Sequence, residues 1–177
     1  MGQIKNMQGE ASGGFSLQCE TNDKYRILVV NDDADICRLN VDGLRRNGYE
    51  VGIAGDGYAG WLELQTNCYN LLITENELPG MSGVGLVKKL RLANMPIPVI
   101  IAIKTMPTWQ SPQYPWLLRA SKLYKPYTIV ALLGLVKDVL RSANDATINV
   151  HQSQIRPPDG SRWVPTNEIR HAFSSQQ

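Results

Sequence analysis

Cysteine is scarce in this 177-residue chain, and Cys19, Cys37 and Cys68 are odd in number, with no CxxC and no Cys/His ligand spacing. That pattern suggests neither a disulfide framework nor a zinc site. Long apolar runs are missing too: the longest, around Pro98 to Ile103 and Ile129 to Val136, are too short to span a bilayer, so a soluble protein without a membrane partner is expected. Residues 1 to 24 lack the basic-then-apolar pattern of a leader, which together with the cysteines points to a reducing cytosol and a cytoplasmic location. Excess charge of either sign is also absent, since 18 Lys+Arg stand against 16 Asp+Glu for a net charge of +2. This balance argues against a highly basic nucleic-acid module, and no nucleic-acid partner is expected. No internal repeat can be found.

What is present is enough apolar character, 43% of residues, to build one core of ordinary size. Residues 1 to 24 are polar and glycine-containing without an apolar period, and predict a disordered arm. From Tyr25 onward, short β-branched runs alternate with stretches of helical period, the alternation that produces a parallel α/β sheet. Strands are predicted at Arg26 to Val30, Glu50 to Ala54, Asn70 to Thr74, Pro98 to Ile103 and Ala120 to Tyr124. Helices are predicted at Ala34 to Arg46, Tyr58 to Thr66, Gly83 to Ala93 and Ile129 to Ser142. Pro107, Pro112 and Pro115 make the fourth crossover irregular. The expected domain is 25 to 142, followed by a mostly flexible tail, 143 to 177.

In an open parallel sheet, chemistry gathers outside the carboxyl ends of the strands. Those ends carry Asn31-Asp32-Asp33, Glu75-Asn76-Glu77, Ile103-Lys104 and Lys125-Pro126. An acid after a strand can simply cap the next helix, and Asp33 or Asp35 suits that role. Capping does not explain why several acids and an amine arrive at one edge.

The runs Ile27-Leu-Val-Val-Asn-Asp-Asp33, Asn70-Leu-Leu-Ile-Thr-Glu-Asn-Glu-Leu-Pro-Gly-Met-Ser-Gly83, Pro98-Val-Ile-Ile-Ala-Ile103 and Lys125-Pro126-Tyr127 resemble the receiver domains of bacterial two-component response regulators, over residues 25 to about 142. The resemblance implies a flavodoxin-like, doubly wound, five-stranded sheet of order 2-1-3-4-5. It also implies a pocket in which an acidic pair holds Mg²⁺, an aspartate ending strand 3 takes a phosphoryl group, a Thr or Ser ending strand 4 bonds the phosphate, and a lysine pairs with it. Carried over position by position, Asp32 and Lys125 match. Asn31 replaces the first acid, Glu75 the acceptor and Ile103 the hydroxyl residue.

Each departure weakens phosphotransfer. Glu75 moves the carboxylate by ~1 Å or more, a displacement that can cost ~100-fold where positioning does the catalysis. Asn31 removes an anionic metal ligand, and Ile103 offers no donor. The expectation is a degenerate pocket of Asn31, Asp32, Glu75, Ile103 and Lys125 with no cofactor, Asp32, Glu75 and Glu77 being weak candidates for Mg²⁺. Lys122 stands where the resemblance places a switch aromatic. The function expected is signal transduction through protein contacts without aspartyl phosphorylation, with a histidine kinase or an output protein as partner. The alternative is a phosphorelay receiver that uses Glu75 or a neighbouring acid. The face of strand 5 and the last helix offers a homodimer contact.

Other features have competing readings. Gly55-Asp-Gly-Tyr-Ala-Gly60 matches GxGxxG but follows the second strand rather than the first. Trp109, Tyr114 and Trp116 in the Pro-rich crossover, with Lys122, offer an interaction surface, or the aromatics fold back over the sheet. Lys88, Lys89 and Arg91 read as a solvated basic face.

Overall fold

The computed structural model describes residues 24–104, 117 and 119–154, with side chains up to residue 146. Its five strands are β1 (Arg26–Val30), β2 (Glu50–Ala54), β3 (Leu71–Glu75), β4 (Val99–Ile103) and β5 (Ala120–Tyr124), and its helices are α1 (Ala34–Arg46), α2 (Gly57–Thr66), α3 (Gly83–Leu92) and α4 (Ile129–Gln154). All pairings are parallel and the order is β2-β1-β3-β4-β5, the doubly wound arrangement expected.

Side chains alternate along the strands, and this alternation decides which helices cover which face. Leu28, Val30, Leu72, Ile101 and Ile103 share one buried cluster with Leu64 of α2 and Leu86, Val87 and Leu90 of α3. Ile27, Val29, Leu71, Ile73, Ile100 and Leu123 share the opposite cluster with Val41 and Leu44 of α1 and Leu132, Val136 and Leu140 of α4. Each fully buried side chain of this kind contributes about 1.5–3 kcal/mol, so the β3 and β4 edges are held rigidly from both sides. The strand order reverses between β1 and β3, and the crevice forms at that switch point.

β4, α2 and α3 each differ from the sequence reading by one residue at one end, and β3 and α4 differ in ways that bear on the site and the domain boundary. β3 begins at Leu71 and ends on Glu75, while Asn70 before it donates its amide to the Arg26 carbonyl and accepts the Arg26 amide on Oδ1, both at 2.7 Å. α4 runs past Ser142 to Gln154. Its apolar period stops near Leu140, but no Pro or Gly interrupts the chain before Pro157, and Asn144 still hydrogen-bonds Tyr25 of the domain. The expectations for residues 1 to 23, for the Pro-rich crossover with Trp109, Tyr114 and Trp116, and for the tail after Gln154 lie outside the described residues. Cys37 is a buried free thiol whose pKa is raised by burial. Among the described residues no helix is long and apolar enough to cross a membrane.

Gly83 opens α3 directly against the end of β3, where an added Cβ would lie 2.0 Å from the Glu75 carbonyl oxygen and 3.0 Å from Thr74 Oγ1. Backbone cannot yield there without moving the strand end. Gly83→Ala is therefore expected to destabilise by ~1–3 kcal/mol in urea unfolding, as overpacking of a tight site does. The wild-type midpoint retained in the variant would show that the loop is free to shift.

Candidate functional site

Three strands deliver the polar residues of the crevice. Glu75, ending β3, is only 6% exposed although it is a carboxylate. Lys125 follows β5, and its amide donates to the Ile103 carbonyl at 2.8 Å, which anchors the residue beside the end of β4. From there its Nζ donates to Glu75 Oε1, in an ion pair whose side chains are 14% and 6% exposed. The loop that carries Lys125 is tied to α1: buried Asn40 donates from Nδ2 to the Tyr127 hydroxyl at 3.0 Å, and the Lys125–Pro126 peptide is cis.

The remaining predicted residues are arranged around this pair. Asn31 is buried, and its Oδ1 accepts the Asp33 amide at 2.9 Å, shaping the β1–α1 turn. Asp33 caps α1, accepting from the amides of Asp35 and Ile36 at 3.0 and 3.1 Å, which is the capping role weighed for it. Asp32 is exposed at the mouth. Ile103 is 2% exposed and lies in the apolar cluster on the α2–α3 side, so the end of β4 gives the crevice a hydrocarbon surface. Lys122 is half-buried on β5, in register with Ile101 of β4.

A second pair was not foreseen. Lys104 Nζ donates to Glu77 Oε2 at 2.8 Å across the ends of β4 and β3, both side chains being exposed. The hydrogen bond to Lys104 holds Glu77 below the usual carboxylate range. The same bond raises Lys104, and the charges of Glu77, Glu75 and Asp32 raise it further. Only the adjacency of β3 and β4 would have revealed this contact from the sequence.

A magnesium ion requires several oxygen ligands with free lone pairs. Here Asn31 is engaged by a backbone amide, Asp33 by a helix terminus, Glu75 by Lys125 and Glu77 by Lys104. Among the described residues no group of three or more His, Cys, Asp or Glu is placed to hold a metal ion. Of the three candidate ligands, Glu75 and Glu77 are thus each committed to a lysine, and Asp32 stands exposed beside them.

The GxGxxG run has a packing explanation. A Cβ on Gly57 would lie 2.1 Å from the Met81 carbonyl oxygen, and one on Gly60 2.9 Å from Val30. Asp56 accepts the Tyr58 and Ala59 amides at 2.7 and 2.8 Å, the same groups an anion at this helix terminus would use. Beside the ion pair, a cleft of about 750 Å³ runs between α1 and the β5–α4 loop, lined by residues that include Ile36, Leu39, Tyr127, Ile129 and both site lysines.

Residues 27–107 match the response regulator receiver domain family. The chain is similar to a probable transcriptional regulatory protein of Picosynechococcus, with 37% identity over 49% of this chain and 37% of that protein. It is also similar to the probable transcriptional regulatory protein SilR of Salmonella typhimurium, with 29% identity over 83% of this chain and 63% of that protein. The chain thus spans less than two thirds of the length of these curated relatives. Among solved structures, a Francisella response regulator receiver domain is 27% identical, with a TM-score of 0.61, covering 68% of this chain and 99% of that one. The described residues have the fold of these receiver domains.

Removing only the amine of the buried pair should strand a carboxylate, whereas removing both charges should be milder. Lys125→Met is expected to destabilise by ~1–3 kcal/mol, with Glu75→Gln in the same chain recovering part of the loss. A coupling clearly above the ~0.5 kcal/mol of unconnected positions, read from a urea double-mutant cycle, checks the pair.

Proposed function

We propose that this receiver domain is a pseudo-receiver, which signals through protein contacts without conventional aspartyl phosphorylation. The observation that carries the reading is the Glu75–Lys125 pair: the acceptor position holds a longer carboxylate, already neutralised by the lysine that would otherwise bind phosphate. Asn31 and Ile103 support it, one serving a turn and the other the core. In-line phosphoryl transfer depends on metal, positioning and charge neutralisation, and each of the three is weakened here.

In this reading the pocket is held in one state and a partner recognises the surface beside it. The cleft between α1 and the β5–α4 loop is suited to that, because it combines the 68% exposed Leu39 with Ile129 and the two site lysines. A histidine kinase or an output protein in the cytoplasm is the class of partner proposed. The names of the curated relatives assign transcriptional regulation to those proteins as wholes, and the proposal made here concerns the receiver alone.

Incubation with acetyl phosphate and Mg²⁺ should add no phosphate to the chain by intact-mass measurement, while the triple change Asn31→Asp, Glu75→Asp and Ile103→Thr should take up phosphate. A stoichiometric adduct on wild-type Glu75 or a neighbouring acid would establish the phosphorelay alternative and overturn the proposal. Mg²⁺ titrated against the amide resonances of residues 31–33 and 75–77 should produce no saturation at micromolar metal. Saturation there would show that these oxygens are available after all.

A further inference from the structure

On the opposite side of the sheet from the cleft, α2 is apolar on two flanks. Gly60 and Leu64 face the core, yet Tyr58 and Leu62, one turn apart, are each 61% exposed. The adjacent α3 exposes Leu92 at 75%, together with Lys88 and Lys89. The helices meet through Trp61, whose ring centre lies 4.8 Å from Lys89 Nζ. At 100° per residue, Tyr58, Trp61 and Leu62 fall on the α3-facing and outer sides of α2, while Lys88, Lys89 and Leu92 fall on the α2-facing and outer sides of α3. The six form one surface.

Its charge is of one sign. α3 carries no acid, and the only acid of α2, Glu63, is turned to the other flank, where it accepts from Asn67 and the Tyr69 hydroxyl at 2.9 and 2.8 Å. Asp56 is taken up by the α2 terminus, and Glu77 by Lys104 at the far edge of the loop. Among the described residues neither Lys88 nor Lys89 stands in an ion pair. The basic cluster noted in the sequence is in fact divided, because Arg91 turns inward to donate to the Met95 and Ile97 carbonyls at 2.8 and 2.9 Å.

We propose that the α2–α3 face is a docking surface for an acidic, amphipathic protein segment, whose apolar side chains cover Tyr58, Trp61, Leu62 and Leu92 and whose carboxylates meet Lys88 and Lys89. The proposal is independent of the pseudo-receiver reading. Charge complementarity selects an acidic partner, and the exposed leucines select a polypeptide over a nucleic acid. Base stacking needs a free aromatic face, whereas the Trp61 ring is already covered by Lys89, and two lysines track little of a phosphate backbone. An amphipathic helix laid along the α2–α3 groove satisfies both requirements.

A random peptide library displayed on phage and selected on the full chain tests this. The enriched peptides should combine Asp or Glu with Leu, Phe or Trp. By fluorescence anisotropy they should bind Leu62→Ser and Lys88→Glu/Lys89→Glu about tenfold more weakly than wild type, as loss of a hot spot does. Changing the peptide's acids to lysine should restore binding to the charge-reversed variant, provided its circular dichroism is that of wild type. Failure to enrich peptides, equal binding to both variants, displacement by an oligothymidine, or a concentration-dependent dimer that masks the face would each overturn the proposal.

Discussion

Glu75 and Lys125 reach each other from the ends of β3 and β5, with β4 between them. Two ions are thereby removed from most of their water, which is tolerable only while each neutralises the other. The pair constrains everything around it. Loss of either partner strands a charge in a crevice whose neighbouring wall is Ile103, and a divalent cation or a phosphoryl group can enter only by competing with an interaction already made within the fold. The supports of Lys125 extend outward from this contact: the hydrogen bond to the Ile103 carbonyl, the Asn40–Tyr127 bond to α1, and the packing of α4 behind it.

Seen from this pair, the other departures in the crevice are mutually consistent. On the proposed reading the built-in ammonium group beside Glu75 takes the place of a metal, so position 31 needs no acid, and Asn31 shapes the β1–α1 turn through its side-chain carbonyl oxygen. On that reading no phosphoryl group is bound, so a hydroxyl at the end of β4 would only be a polar group facing a core cluster, and Ile103 buries hydrocarbon there instead. Lys104 repeats the pattern at the rim by neutralising Glu77. At this edge Glu75 and Glu77 each stand against a lysine, Asp33 is taken up by backbone amides, and Asp32 adds its charge beside Lys104.

How much of this was legible in the sequence depends on what each signal reports. Period-two runs report burial on a sheet, and β1, β2 and β5 were readable to the residue; β3 was shifted by one, since Asn70 bonds Arg26 of β1 through both its amide and its side chain but precedes the strand, which runs on to Glu75. Helical period also reports burial, so α4 was legible to Ser142, near where its apolar stripe ends, and not to Gln154, where its backbone hydrogen bonding ends. The Glu75–Lys125 contact could be anticipated because both lie at strand ends on the same edge. Lys104–Glu77, Asn40–Tyr127 and Lys89–Trp61 could not: each depends on which elements are neighbours and on rotamers across them.

A switching receiver needs two states close in free energy and a modification that favours one of them. On the proposed reading that differential is missing, since the lysine is engaged in either case and Ile103 offers a phosphoryl group nothing. A ligand that prefers neither state shifts no population, however tightly it binds. What remains variable is which surface is covered. The cleft beside α1 and the α2–α3 face lie on opposite sides of the sheet, and the helices of each side bury separate clusters. Occupying one leaves the other sterically open, with a rigid five-stranded layer between them. On the two proposals together, a domain built this way holds two partners at a set distance, and its information lies in which partner is present rather than in the state of its pocket.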